Sequence, residues 1–504
     1  MNADAGYRPT PTDLRVIIIG AGFGGLCMAI KLKQAGIDDF VLLEKNGDVG
    51  GTWWANTYPG CACDVQSLLY SFSFEQNPDW SHMFGRQPEI LGYLRHCVEK
   101  YRLAPHIRLS SEVTHAAYQD AEQHWQVQTA DGVRYRTRIL VAATGPLSRP
   151  AIPDLPGLDR FAGEVFHSAQ WAHDYSLQGK QVAVIGTGAS AIQFVPAIAP
   201  RVANLYLFQR TPPWVLPRPD RKVSRLERWL FRRWPLTQRI ARYLMYWRLE
   251  SRAVVFTVWP RLGGLLAAFG RWNIRRQVRD PLFQEKLTPD YPAGCKRLLL
   301  SDDYYPALNR GNVHLVTDPV RECTATGVVT ADGDEFTVDA IILGTGFQAT
   351  APFPKRMITG SHGVDITERW RAGMEAYKGI SVSGFPNFFM LAGPNTGLGH
   401  NSVVFMLEAQ VGYIMQAMSA MERQSIDGLE VRPEIEAAFN RQLQRRLART
   451  VWANGCRSWY LDANGRNVTL WPGFTVEYWF RTRRFRFKDY RVAAKHSPGP
   501  GPDH

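Results

Sequence analysis

Residues 14–25 read LRVIIIGAGFGG. The apolar run Leu14–Ile19 is too short and too β-branched for a helix, and it predicts a strand buried in a parallel sheet. It leads directly into Gly20, Gly22 and Gly25 with GxGxxG spacing, and the amphipathic stretch Leu26–Ala35 predicts the helix that follows. In such a loop the first glycine makes the tight turn and the second lets backbone N–H groups approach a pyrophosphate. The third lets helix and strand pack closely, and the helix N-terminus adds partial positive charge. A second predicted strand, Phe40–Leu43, ends at Glu44, 24 residues past Gly20. A carboxylate there can accept hydrogen bonds from ribose hydroxyls. Strand, loop, helix and acid together predict a dinucleotide site.

The pattern returns. QVAVIGTGASA (181–191) aligns Gly186 with Gly20 and Gly188 with Gly22, with Ala191 where Gly25 stood; Thr187, Ala189 and Ser190 complete the loop. The strand Asn204–Phe208 then runs to Gln209-Arg210, and Arg210 is again 24 residues past the first glycine. An acid at that offset suits a free ribose, whereas an arginine suits a 2′-phosphate. The repeat therefore predicts two nucleotide sites of different preference, FAD first and NADPH second. Val141–Gly145 (VAATG) and Ile342–Gly346 (ILGTG) are matching strands that close on Thr-Gly, and the proline-rich RPAIPDLPGLD (149–159) predicts a domain crossing.

At 504 residues, with 45% hydrophobic and 21% charged residues, the chain is long enough for two or more domains. The fold class expected is α/β, with two Rossmann-like dinucleotide-binding domains and a helical insertion in the second. The expected parts are 1–146 (FAD domain, first part), 147–220 (NADP domain, first part), 221–290 (insertion), 291–373 (NADP domain, second part) and 374–504 (FAD domain, second part, with the tail). The return of the chain at 380–411 would complete the first domain. MNADAGYRPTPTDL lacks the basic and apolar regions of a signal peptide, which predicts a cytosolic protein with a mobile tail at 1–13. Seven cysteines without framework spacing predict reduced thiols; Cys61 and Cys63 read as small apolar filler or as a redox pair.

The net charge of +13 is concentrated. Residues 221–280 hold 15 Lys or Arg against Glu227, Glu250 and Asp280, which is 15 − 3 = +12, together with 10 aromatic residues. Leu226, Leu230, Ile240, Leu244 and Trp247 form a helical stripe broken at Pro235. Val254–Gly270 is interrupted by Pro260 and Arg261 and falls short of a membrane span. Three readings stand: a helical lid over an apolar pocket, a lid that also rests on a membrane surface, and a solvated basic face. No nucleic-acid motif, metal-ligand spacing or GxSxG accompanies the charge, so neither nucleic acid nor a metal is expected. Elsewhere a helix is expected near Ile90–Val98, an antiparallel meander from Ile107–Ser111, Trp125–Ala130 and Val133–Arg138, an edge strand at YWFRTRRFRFKDYR, and disorder at SPGPGPDH.

FAGEVFHSAQWA (161–172) fits F-x-G-x-x-x-H-x-x-x-W through Phe161, Gly163, His167 and Trp171, with Ala172 where the pattern usually has Pro or Asp. With GGTWWANTYPGCACDVQS (50–67), YPAGCKRLLLSDDYYPALNRGNV (291–313) and ILGTGFQAT (342–350), it makes the chain resemble the flavin-dependent Baeyer–Villiger monooxygenases over nearly its whole length. The resemblance implies an NADPH- and O2-dependent enzyme that inserts one oxygen atom beside a ketone carbonyl through a flavin peroxide, giving an ester or lactone. It implies Arg297 as the mobile active-site arginine, Asp64 beside the flavin, and His167 in tuning conformation and coupling. Thr52, Trp53 and Tyr70 would join the flavin site, and Lys296 and Arg210, with Thr211 adjacent, would grip the 2′-phosphate. The substrate expected is a small apolar ketone. An N- or S-oxidising flavin monooxygenase and a reductase that inserts no oxygen remain the alternatives, and the oligomeric state stays open.

Overall fold

A computed structural model of the chain describes residues 12–453, 455–456 and 458–494. Of the expected N-terminal tail only Thr12 and Asp13 fall within this range, and both belong to the first strand; SPGPGPDH lies outside the described residues.

The chain begins with β1 (Thr12–Ile19), α1 (Phe23–Gln34), β2 (Phe40–Leu43), α2 (Gln87–Lys100), β3 (Ile107–Arg108), β4 (Val113–Gln119), β5 (His124–Thr129) and β6 (Arg134–Ala142). β1 lies between β2 and β6, parallel to both, with Ile17 opposite Val41 and Leu140. Val16, Ile17 and Ile18 are completely buried, because helices and loops cover both faces of the strand. β4, β5 and β6 form an antiparallel meander that turns at Asp131-Gly132. The expected first meander strand at 107–111 is instead β3, a short parallel partner of β2. The true first strand, VTHAAYQ, carries two alanines and little β-branching, so its period was weak. The meander strand expected at 133–138 and the strand expected to open VAATG at 141 are one continuous β6.

The second unit contains β7 (Glu164–His167), β8 (Gln181–Ile185), α3 (Ala191–Ile198) and β9 (Asn204–Phe208). The insertion follows as α4 (Arg225–Arg233), α5 (Pro235–Glu250), α6 (Gly263–Gln277) and α7 (Pro281–Leu287). Ser224 and Glu227 form a capping box that starts α4, and Pro235 sits in the first turn of α5, where its missing N–H costs nothing. After β10 (Val313–Val316) and β11 (Ala340–Leu343), the sheet is ordered β10-β9-β8-β11-β7, all parallel.

The chain crosses between the sheets twice, and the two crossings pair. Ala151 N–H donates to Gly346 O (2.9 Å), Gln348 N–H to Arg149 O (2.9 Å), and Thr345 Oγ1 to Ala151 O (2.6 Å). Ile358–Thr359 already pairs with β4 of the first sheet, so the return precedes residue 374; Phe388–Met390 then adds beside β6. The helix α8 (Val403–Arg423) packs on α1 as a buried core element.

Two further expectations fail. YWFRT belongs to a helix, Thr475–Thr482, and only Tyr490–Ala494 is a strand, antiparallel to Ile426–Val431. Thr475, Tyr478 and Thr482 are the buried positions, which is helical spacing; the run of aromatics alternating with arginines imitated a period of two. The thiols are also not all free: Cys295 and Cys456, 161 residues apart, form a disulfide, a pairing created by the fold and invisible to local spacing.

Candidate active site

The first glycine loop is sterically committed. Gly20 has φ +104°, and a Cβ there would stand 2.7 Å from Ala143 O; one on Gly25 would stand 1.9 Å from Gly20 O. A Cβ on Gly22 would meet only Gly51, at 3.6 Å, so the front of the loop is open to a ligand. Glu44 is buried at the end of β2, where Oε2 accepts from Ala21 N–H (2.7 Å) and Oε1 from Asn46 (2.7 and 3.0 Å). Thr52 opens a one-turn helix, and its neighbour Trp53 is buried, donating from Nε1 to the Tyr70 hydroxyl (3.2 Å) with the two rings edge-on. The cradle thus has a glycine turn, a buried acid and a wall of aromatic rings, and these features fit a dinucleotide carrying a flat ring.

The second loop repeats the geometry with one change. Gly186 has φ +106°, and its Cβ would lie 2.6 Å from Gly344 O, whereas Gly188 and Ala189 are exposed and unobstructed. Ala191 is tolerated where the first loop needs Gly25, because it faces Gly344. Thr187 donates to Thr211 O (3.2 Å), and Ser190 lies beside the Tyr58 hydroxyl at the start of α3. Exposed Arg210 and half-buried Lys296 stand close enough that burial first, and then the charge of Arg210, hold the lysine below its ordinary pKa. Two cations that repel each other beside an open phosphate loop fit an anionic group. The Lys296 ammonium is 4.5 Å above the Tyr291 ring.

Arg297, next to Lys296, reaches across to Asp64. Nε and Nη2 donate to the same carboxylate oxygen, Oδ2, at 2.9 and 2.6 Å, while Nη1 points to Leu398 O at 3.5 Å. The two side chains are 31% and 29% exposed, so the pair is neither surface decoration nor sealed core. Asp64 holds the guanidinium above its already high pKa, which makes the positive charge permanent. The bond is two donors on one oxygen and not a fork on both.

Sequence reasoning missed Tyr460. It is buried against this pair, and burial pushes its phenol up to about 12, with Arg297 opposing. Nothing local marked it, since its importance comes from a contact 163 positions away in sequence (460 − 297). His167 lies elsewhere, at the end of β7 by the crossing strands. Its Nδ1 accepts from Ala169 N–H (3.1 Å), and its ring meets Phe347 edge-on at 5.6 Å. Burial lowers its pKa, and the Gly346 backbone offsets this only in part. Cys61 and Cys63 are free and buried; burial raises the Cys61 thiol to about 12 and Cys63 higher, so both are protonated filler.

The family model for pyridine nucleotide-disulphide oxidoreductases matches residues 17–234, the span of both glycine loops. A Baeyer–Villiger monooxygenase of Pseudomonas aeruginosa is 51% identical over 490 residues, covering 96% of this chain and 93% of that protein. One of Streptomyces coelicolor is 47% identical over 491 residues, covering 97% and 94%. Among solved structures, cyclohexanone monooxygenase from Rhodococcus sp. Phi1 bound to NADP+ superposes with a TM-score of 0.86 at 31% identity, over 96% of this chain and all of that one. The OTEMO complex with FAD and NADP gives 0.87 at 29% identity, with the same coverage. With two dinucleotide cradles, an arginine oriented by Asp64, and relatives of this identity along nearly its full length, the chain belongs to the Baeyer–Villiger monooxygenases and is an FAD-containing, NADPH-dependent enzyme.

Proposed function

We propose that the substrate is a small apolar ketone and that Arg297 is the catalytic residue, with Asp64 positioning it. FAD would occupy the cradle of Gly20, Gly22, Gly25, Glu44, Thr52, Trp53 and Tyr70. NADPH would occupy that of Gly186–Ser190, with its 2′-phosphate between Arg210 and Lys296 and Thr211 adjacent. When bound, these cofactors and O2 supply the oxygen atom that enters the bond beside the carbonyl. The chain's own contribution is electrostatic. Charge develops on the carbonyl oxygen as it is attacked, and a guanidinium that cannot lose its proton stabilises that charge wherever it can be brought within reach.

The observation that carries this reading is the Arg297–Asp64 geometry. The carboxylate fixes one edge of the guanidinium through Oδ2, and the rest of the group meets neutral oxygens, Leu398 O at 3.5 Å and the Tyr460 hydroxyl. An arginine held this way is oriented but can still move. His167, at the crossing strands, is a positioning residue for the relation between the two sheets. An apolar substrate is supported by a mainly apolar cavity of about 130 Å³ beneath α4 and α5, lined by Trp80, Met83, Phe231 and Met245 together with the paired Arg221 and Glu227. In this reading α4 and α5 form its lid, and exclusion of water protects the reactive oxygen species.

The test is a panel of apolar ketones and sulfides with isotopically labelled O2. Ester or lactone carrying one labelled oxygen per NADPH consumed supports the proposal. Sulfoxide without ester would move the enzyme to heteroatom oxidation, and NADPH oxidation yielding only hydrogen peroxide would make it a reductase.

A further inference from the structure

We propose that the outer faces of α5 and α6 dock the enzyme on an anionic lipid bilayer. The inner face of α5 is anchored to the body of the protein. Gln238 donates to Asn77 O (2.6 Å), Arg242 to the carbonyls of Leu68 and Ser71, and buried Glu250 accepts from Asn401 (2.6 Å) and Thr475 (2.7 Å). That leaves Leu236, Ile240, Leu244 and Trp247, at spacings of four, four and three, on the opposite side; Leu236 and Leu244 are 65% and 64% exposed. In α6 the inner face is as tightly fixed. Asn273 donates to Val215 O (3.2 Å), and a Cβ on Gly270 would stand 2.6 Å from the Trp214 ring. The outer stripe is Leu262, Leu265, Phe269 and Trp272, with Leu265 71% exposed. Where the two helical runs meet, the chain bends by 108°, and Trp259 projects at the bend, 62% exposed. A folded chain does not leave this much ordered aromatic and aliphatic surface in water without a use for it.

The charge pattern identifies the occupant. All three acids of residues 221–280 are engaged: Glu227 with Arg221 and the Ser224 N–H, Glu250 in its buried network, and Asp280 capping Leu282 N–H. The exposed cations Arg239, Arg248, Arg261, Arg271 and Arg275 have no acidic partner among the described residues. A second copy of this face would set these five arginines against the same five, so self-association through it is opposed. Tryptophan, leucine and arginine interleaved on helices that lie along a surface are what the interface of an anionic leaflet accepts. The apolar side chains enter the acyl boundary, the indoles sit at headgroup level and the guanidinium groups meet phosphate. The contact is peripheral. The bend excludes a straight span, and α8, the one unbent helix among the described residues long and apolar enough to cross a bilayer, is a core helix.

The test is co-sedimentation of the full-length, flavin-loaded enzyme with vesicles of phosphatidylcholine alone or mixed with phosphatidylglycerol. Binding to the mixed vesicles is expected, about tenfold or more above phosphatidylcholine alone, and it should weaken as salt rises. Each of Arg239→Gln and Arg248→Gln should weaken it about fivefold. Leu244→Ser with Trp247→Ser should abolish it while flavin content and the thermal midpoint stay at wild-type values. Failure to sediment with either vesicle overturns the proposal. So does binding that survives Leu244→Ser with Trp247→Ser, which would be adsorption of charge alone. A dimer in solution that the same pair of substitutions dissolves, without vesicle binding, would assign the face to another protein.

Discussion

Both hydrogen bonds from Arg297 to Asp64 end on one oxygen, Oδ2, at 2.9 and 2.6 Å. The guanidinium is therefore pinned along one edge, and the two residues should fail differently when changed. Arg297→Ala removes the charge and is expected to lower oxygenated product in a single turnover by ~10²–10³-fold while NADPH still reduces the flavin. Asp64→Asn keeps the shape and leaves neutral hydrogen bonds in place of charge-assisted ones, so a loss on the order of tenfold is expected. Equal losses would mean that Asp64 has a duty beyond holding Arg297.

Lys296 and Arg210 predict the coenzyme preference. Burial first, and then the charge of Arg210, lower the Lys296 pKa, and a phosphate between the two cations would relieve the repulsive part. Lys296→Ala and Arg210→Ala should each raise KM for NADPH by about 10- to 100-fold and leave KM for NADH nearly unchanged. The measurement is steady-state NADPH against NADH kinetics at saturating ketone. Parallel losses with both coenzymes would remove the 2′-phosphate from this place.

The two glycine loops were legible because their signal is local. A buried β-branched run, three small residues and a charge 24 positions on all lie within a short window. Arg297 and Asp64 could be named only through motif resemblance, since 233 positions separate them and neither segment alone implies the other. Tyr460 and the Cys295–Cys456 bond had no such support, because each exists only through tertiary contact. At Thr475–Thr482 the local signal was present but misleading. Exposed Trp479 and Phe480 interrupt what would otherwise be a clear helical stripe.

Glu436 gives the pH dependence a sign. It is fully buried, and burial raises its carboxyl from 4.5 to about 7, against the opposing pull of Arg369, whose Nη2 lies 2.9 Å from Oε2. Between those two values the folded chain binds more protons than the unfolded one, so this group's contribution to stability falls as pH rises through the window. Glu436→Gln retains a hydrogen-bond acceptor for Arg369 and removes the charge. It should raise stability at pH 8 by ~2 kcal/mol and flatten the profile between pH 4.5 and 7. Chemical denaturation at either end of that range measures it, and an unchanged slope in the variant would refute the assignment.

The disulfide is placed to act on the site. Cys295 immediately precedes Lys296 and Arg297, and Cys456 lies four residues before Tyr460, so the bond ties together the two segments that meet at the guanidinium. Protein denatured without reductant and without prior alkylation should show five titratable thiols, rising to seven after reduction. Cys456→Ser opens a link across 161 positions and should lower stability by about 2–4 kcal/mol. Because the tether also limits where Arg297 can go, the variant should lose more in oxygenation than in flavin reduction by NADPH. Seven thiols before reduction would rule the bond out. A stability loss with both half-reactions equally affected would make the bond a clamp on the fold alone, with no part in holding the arginine.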